Sequence, residues 1–174
     1  PAFSHALYGE AFYTFPLVVP RLSGVEDVLP VMAGERLLKT LPEAGQHLSV
    51  KGQLRSYNMQ MEGRNRLLVI VFARCIEDSC ADDFFCNDVL LTGFICKPPT
   101  YRMTPFSREI TDILIAVNRP YHKSDYLPVI VWGRNARFAS GLSVGDKITV
   151  IGRIQSRTYQ KNMPDGTVDA RVAY

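Results

Sequence analysis

The stretch YLPVIVWGRNARFASGLSVGDKITVIGRIQSRTY, residues 126–159, alternates apolar with other side chains, passes through a glycine-bounded turn region, and then alternates again. In a β-strand, successive side chains point to opposite faces of the sheet. Val129 and Val131 therefore share one face, which we predict to be the core. Tyr126 and Trp132 share the other face, which a half-buried strand shows to solvent and where a large aromatic side chain usually has a binding partner.

An internal repeat extends this pattern to the rest of the chain. FYTFPLVVPRL from Phe12 aligns with ITDILIAVNRP from Ile110, and LSVKGQLRSYNMQ from Leu48 aligns with ITVIGRIQSRTYQ from Ile148. Each copy reads strand, turn, strand, short helical connection, strand, hairpin, strand. This order predicts an all-β protein of tandem OB-folds, which are five-stranded Greek-key barrels, each with one short helix.

The same repeat predicts the domain boundaries. We expect a first OB-fold at residues 1–77, a linker at 78–86 and a second OB-fold at 87–174. The second copy has its first strand in NDVLLTGFICKPP, residues 87–99, and the prolines at its end remove donors that a continuing strand would need. The first copy has no equivalent segment, so its first strand is predicted to be absent from this chain.

Composition and charge narrow the class of protein. With 174 residues, of which 47% are hydrophobic and 21% charged, the chain has an ordinary globular composition. No apolar run approaches the roughly 18 to 20 residues of a membrane span, so a cytoplasmic protein without a membrane partner is expected. Residues 1–85 hold eight Lys and Arg against ten Asp and Glu, whereas residues 86–174 hold twelve against seven. This local basic excess favours a polyanionic partner for the second copy.

Sequence patterns typical of catalysis or of a metal site are missing. The cysteines are unevenly spaced without a C-x-x-C pair, which favours free thiols over structural zinc. The three histidines are scattered, and no metalloprotease, nucleophile-elbow or phosphate-loop motif is present. We therefore expect a binding protein and not an enzyme, with no cofactor and no metal.

Aromatic and basic side chains are interleaved on the predicted outer face of the second copy. If residues 147–159 form one strand, Arg153, Arg157 and Tyr159 face the same way as Trp132. Cations can follow the backbone of a single-stranded nucleic acid while rings stack on its bases, each stack contributing roughly 1 to 3 kcal/mol. The alternative is that the rings cover a subunit interface, which also favours Trp, Tyr and Arg. Further candidates for nucleic-acid binding lie in the loops, turns and hairpin of this copy, namely Tyr101, Arg102, Phe106, Arg119, Tyr121, Arg134 and Lys161.

At this level of detail the second copy resembles a known family. NDVLLTGFICKPP and VIVWGRNARFASGLSVGDKITVIGRIQSR, with the tyrosine that follows, resemble the bacterial single-stranded DNA-binding proteins, in their form with two OB-folds per chain. The resemblance covers nearly all of residues 87–174. It implies sequence-independent binding and protection of single-stranded DNA in replication, recombination or repair, in association with the nucleoid. It implies base stacking on three aromatic residues and backbone contacts from two arginines, namely Tyr126, Trp132, Tyr159, Arg153 and Arg157.

The first copy departs from this pattern. It has Val28 where the second copy has Tyr126, and only Lys51, Arg55 and Tyr57 remain of a basic aromatic surface. Arg55 and Tyr57 are therefore its nucleic-acid-binding candidates, and we expect a mainly structural barrel. The resemblance implies a homodimer with four OB-folds, and replication or repair proteins as further partners. The open alternative is an OB-fold interaction module of a primosome-like replication-restart assembly, which differs in whether affinity for single strands persists without partners.

Overall fold

The computed structural model describes residues 1–61, 64–80, 86–162 and 168–174, with side chains at all of these positions except 59–61, 64–66, 161, 162 and 169. Strands dominate, as predicted. Within the described ranges no helix is long and apolar enough to cross a membrane. The elements, which include one turn of 3₁₀ helix at Glu35–Leu37, are β1 Ala2–Leu7, β2 Glu10–Pro20, β3 Glu26–Gly34, β4 Leu48–Met61, β5 Arg64–Asp78, β6 Val89–Ile95, β7 Thr100–Met103, β8 Glu109–Arg119, β9 Lys123–Trp132, α1 Arg134–Ser140, β10 Lys147–Gly152, β11 Arg157–Asn162 and β12 Val168–Ala173.

The first sheet contains the strands of the first repeat in the order β1-β2-β3-β5-β4. Strands β2 and β3 are antiparallel, with Phe15 opposite Val31, whereas β3 and β5 run parallel, with Val31 beside Val71. The buried core of this sheet is formed by Phe15, Val31, Ala33 and Ala73. Because the last strand of the repeat returns to pair with the third, the sheet has the crossover expected of a Greek-key barrel.

The second sheet has the order β10-β6-β8-β7, and β9 pairs with the free side of β8. Strand β6 therefore pairs with two neighbours, β10 and β8. The backbone of β8 lies close to Gly93, because a Cβ at this position would lie only 2.5 Å from the carbonyl oxygen of Ala116. A side chain there would force the strands apart. Ile95, Ile113, Ile115 and Ala139 form a cluster in its buried core.

The repeat is visible in the order of the strands. Strands β1, β2 and β3 of the first copy correspond to β7, β8 and β9 of the second, and the 3₁₀ turn corresponds to α1. The described part of the first copy contains no strand in the place of β6. The first sheet therefore has no counterpart of the strand that joins β8 to β10 in the second.

The chain forms two compact units that are not continuous in sequence. Unit 1 comprises residues 1–55, 68–87 and 154–174, and unit 2 comprises residues 56–67 and 88–153. Each unit thus includes a segment from the opposite repeat. The continuous ranges 1–77 and 87–174 describe the sequence repeats, but they do not describe these compact units.

Candidate nucleic-acid interface

The outer face of β9 carries the two aromatic residues on which the sequence argument rests. Leu127 is only 2% exposed, whereas Tyr126 and Trp132 are 46% and 51% exposed. The predicted alternation of this strand, with the face of Leu127 inward and the rings outward, is therefore confirmed. The two rings are six positions apart, which corresponds to about 20 Å along a strand. The two rings can therefore contact separate groups of an extended ligand.

A small polar network lies beside the end of β9. The carboxylate of Glu109 accepts hydrogen bonds from the hydroxyl of Tyr101 at 2.9 Å and from Nε of Arg137 at 2.8 Å, and its backbone carbonyl accepts from the amide of Gly133. The hydrogen bonds from Arg137 and then from Tyr101 lower the pKa of Glu109. Tyr101 and Arg137, which could otherwise bind an anion, are thus bound to the carboxylate of Glu109.

Arg102 is also paired. Its Nε donates to Asp112 at 2.6 Å, and both side chains are well exposed. Because a surface pair of this kind is weak and easily screened, an incoming phosphate can compete with the carboxylate for the guanidinium. Arg102 can thus bind a phosphate only if the phosphate displaces Asp112.

Ser56, from β4 of the first repeat, is held in unit 2 by hydrogen bonds to three residues. Its amide donates to Oδ1 of Asp125 at 2.5 Å, its hydroxyl accepts from the amide of Tyr126 at 2.7 Å, and its carbonyl accepts from Nη2 of Arg119 at 3.2 Å. Arg119 also makes two hydrogen bonds to the carboxylate of Asp125, which is 2% exposed. We call Arg119, Asp125 and Ser56 the Asp125 clasp.

Unit 1 contains the same arrangement with the repeats exchanged. The amide of Ser156 donates to Asp27 at 2.6 Å, its hydroxyl accepts from the amide of Val28 at 3.0 Å, and its carbonyl accepts from Arg21 at 3.0 Å. The hydrogen bonds from Arg21, with those from Ser156, lower the pKa of Asp27 although its burial acts in the opposite direction. We call Arg21, Asp27 and Ser156 the Asp27 clasp.

The strand predicted at residues 147–159 is interrupted, so that prediction was wrong. Strand β10 ends at Gly152 and β11 begins at Arg157. The side chain of Asn87 accepts from the amide of Ile154 at 3.0 Å and donates to its carbonyl at 2.8 Å. Arg21 and Asp27 bind the carbonyl and the amide of Ser156, two residues further on. Side chains thus take the hydrogen-bonding groups that a continuous strand would offer to its neighbours.

The interruption divides the predicted aromatic and basic set between the two units. Tyr126, Trp132 and Arg153 belong to unit 2, whereas Arg157 and Tyr159 belong to unit 1 with the rest of β11. All five are exposed. A continuous strand at residues 147–159 would have placed them on one face.

The remaining candidates lie at the surface. Tyr121, at the tip of the β8–β9 turn with a positive φ, is 91% exposed, and Phe106, in the β7–β8 loop, is 86% exposed. Arg134 is exposed at the first residue of α1, and the side chain of Lys161 lies outside the described residues. In the described part of the chain, no group of three or more His, Cys, Asp and Glu side chains could hold a metal ion.

Unit 1 has an aromatic and basic cluster that sequence reasoning missed. The guanidinium groups of Arg55 and Arg74 lie 5.3 and 5.2 Å from the ring centroid of Phe72, and the ring of Phe12 lies 6.0 Å from Phe72. His5 stacks on Phe12 with centroids 5.0 Å apart. The spacing of two residues between Phe72 and Arg74 places both on one face of β5, which is the one signal that the sequence offered.

Solved structures show the class of fold. The single-stranded DNA binding protein from Thermus aquaticus superposes with a TM-score of 0.67 over 99% of this chain and 82% of that chain, at 24% sequence identity. A deletion mutant of the same protein gives a TM-score of 0.68, with coverage of 99% and 84%. Because the likeness extends over both repeats, the predicted tandem OB-fold architecture is confirmed.

Sequence comparison then gives the family. Residues 86–172 match the model of the single-strand binding protein family. A single-stranded DNA-binding protein of Clostridium tetani is 38% identical over 88 residues, which is 47% of this chain and 59% of the relative. One of Halalkalibacterium halodurans is 34% identical over 83 residues, which is 44% of this chain and 49% of the relative. The chain spans about half the length of the curated relatives it matches. It belongs to the single-strand binding protein family.

Proposed function

We propose that the chain binds single-stranded DNA without sequence preference and protects it in replication, recombination or repair on the cytoplasmic nucleoid. The observation that carries this proposal is the outer face of β9, where Tyr126 and Trp132 are half exposed on a strand whose other face is core. Rings in this state can stack on bases, and every base has a face on which to stack. Both residues lie in the segment that matches the family model.

Exposed cations of unit 2 suit the phosphate backbone. Lys123 at the start of β9, Arg134 at the start of α1 and Arg153 after β10 are all exposed in unit 2. Residues 86–174 carry twelve Lys and Arg against seven Asp and Glu, so the field over this repeat favours a polyanion. We do not assign this role to Arg119, because its guanidinium is hydrogen bonded to Asp125 inside the clasp.

The affinities for single-stranded and duplex DNA should differ. We expect labelled oligonucleotides to bind more tightly than a duplex of the same length, because stacking needs exposed base faces. The logarithm of the association constant should fall linearly with the logarithm of salt concentration, with a slope of roughly −0.7 per phosphate neutralised. Equal affinity for the two forms would contradict the stacking mechanism. Absence of binding at low salt by the purified protein would instead support the protein-interaction alternative.

We also propose that the functional assembly is a homodimer with four OB-folds. The outer face of the β6–β10 ladder carries Leu90 opposite Ile151, and these aliphatic side chains are 69% and 83% exposed. An exposed apolar pair of this kind suits a twofold contact, in which the same patch meets itself. Light scattering at micromolar concentration should give the mass of two chains, and Ile151→Glu should give the mass of one. A monomeric wild-type protein would overturn the proposal.

A further inference from the structure

One aromatic side chain of the first repeat belongs to the unit that carries the β9 rings. Tyr57 follows Ser56 on β4, and both residues are part of unit 2. The hydroxyl of Ser56 accepts a hydrogen bond from the amide of Tyr126. Tyr57 therefore directly follows a residue whose side chain is hydrogen bonded to the backbone of Tyr126.

The Asp125 clasp fixes the position of this tyrosine. Ser56 is 9% exposed, and all of its backbone and side-chain polar groups that face the clasp are hydrogen bonded to Arg119, Asp125 or Tyr126. The guanidinium carbon of Arg119 lies 5.5 Å from the centroid of the Tyr57 ring, which is within the range of a cation–π contact. The peptide and the ring are therefore held by the same arginine.

The ring is held but not covered. Tyr57 is 38% exposed, close to the 46% of Tyr126, although its neighbour Ser56 is buried. A tyrosine that served only to cover Arg119 would gain from deeper burial of its ring, whereas a stacking surface needs an open face and a fixed orientation. The exposure and the clasp together match the second requirement.

We propose that Tyr57 is a stacking residue of the unit 2 surface and that the Asp125 clasp positions it. This inference rests on the proposed binding of single-stranded DNA, and it assigns the ligand chemistry of Tyr57 as an unpaired base. Arg119 is then a positioning residue and not a phosphate contact, because Asp125, Ser56 and Tyr57 already occupy its guanidinium. The binding surface of unit 2 is composite, with one ring from the first repeat and the others from the second.

The experiment compares Tyr57→Ala with Tyr57→Phe in the full chain, by titration with a labelled oligothymidylate. Loss of one base stack is expected to weaken binding by roughly tenfold in the alanine variant, while the phenylalanine variant, which keeps the ring, binds within about twofold of wild type. Thermal unfolding of both variants should stay close to that of wild type. Unchanged affinity in the alanine variant, or equal weakening in both variants, would overturn the inference.

A double-mutant cycle tests the positioning by the clasp. Asp125→Asn keeps the size of the side chain but removes the charge that holds Arg119, so it should weaken binding through Tyr57. Tyr57→Ala should then add little to Asp125→Asn. The matched control is Asp27→Asn in the other clasp, to which Tyr57→Ala should add its full effect. Full additivity with both aspartate variants would overturn the role of the clasp.

Trp132→Ala separates this inference from the proposed function. Weaker binding in Trp132→Ala with wild-type binding in Tyr57→Ala overturns the inference alone. If the wild-type chain does not bind the oligothymidylate, the proposed function fails as well, and with it the ligand assigned to Tyr57. Weakening in both alanine variants supports both statements.

Discussion

Asp125→Ala is expected to lower the free energy of unfolding by about 3 to 5 kcal/mol, the usual effect of removing one partner of a buried ion pair. The carboxylate is 2% exposed and accepts hydrogen bonds from Arg119 and from the amide of Ser56. Its removal leaves a mostly buried guanidinium without its counter-charge and a buried amide without an acceptor. Denaturant unfolding followed by circular dichroism measures the change.

The matched control for this variant is Asp112→Ala. Asp112 also accepts hydrogen bonds from an arginine, Arg102, but both of those side chains are exposed, so water replaces the lost contact. We expect its unfolding midpoint to stay near that of wild type. Equal losses in the two variants would show that burial of Asp125 does not decide its contribution.

Trp132→Ala is expected to weaken binding of single-stranded DNA by about 1 to 3 kcal/mol, the usual contribution of one base stack. The ring is 51% exposed, so its removal should leave thermal stability nearly unchanged. Trp132 is the single tryptophan of the chain, and stacking on it should quench the intrinsic fluorescence of the wild-type protein. Fluorescence titration of the wild type and anisotropy titration of the variant measure the two effects.

A suitable control is Phe138→Ala, which removes another exposed ring of unit 2. Phe138 lies on α1 and is 71% exposed, but it is not on the outer face of β9. We expect its affinity for DNA to match that of wild type. A large loss of stability in Trp132→Ala with unchanged affinity would instead place the ring in a packed interface.

Local periodicity was sufficient to predict most of the fold. Alternation along β9 predicted which side chains face the core, because each residue of a strand has only two faces available. The repeat predicted the order of the strands, and the glycine-bounded segment predicted α1. These features depend on residues that are close in sequence.

The features that the sequence did not predict depend on distant partners. The break after Gly152 arises because Asn87 and Asp27 bind the backbone that follows, and Asp27 is separated from Ser156 by 129 positions. The alternation of apolar and polar residues shows which side chains face a core, but it does not show to which compact unit a segment belongs. One signal was present: Asp27 and Asp125 occupy equivalent places in the aligned repeats, each directly before a mostly apolar run, where an unpaired carboxylate would be costly.

In each clasp, a serine of one repeat binds an aspartate and an arginine of the other repeat. This exchange of segments constrains how the sequence can change in evolution. Ser56 is hydrogen bonded to Asp125, 69 positions later, and Ser156 is hydrogen bonded to Asp27 in the opposite half. A substitution at either serine therefore changes the surroundings of a buried carboxylate in the other half. The two halves of the coding sequence are therefore not independent modules that can be shuffled. A half transplanted into another gene would bring one serine without its aspartate and one aspartate without its serine, so the repeats have to diverge as a pair.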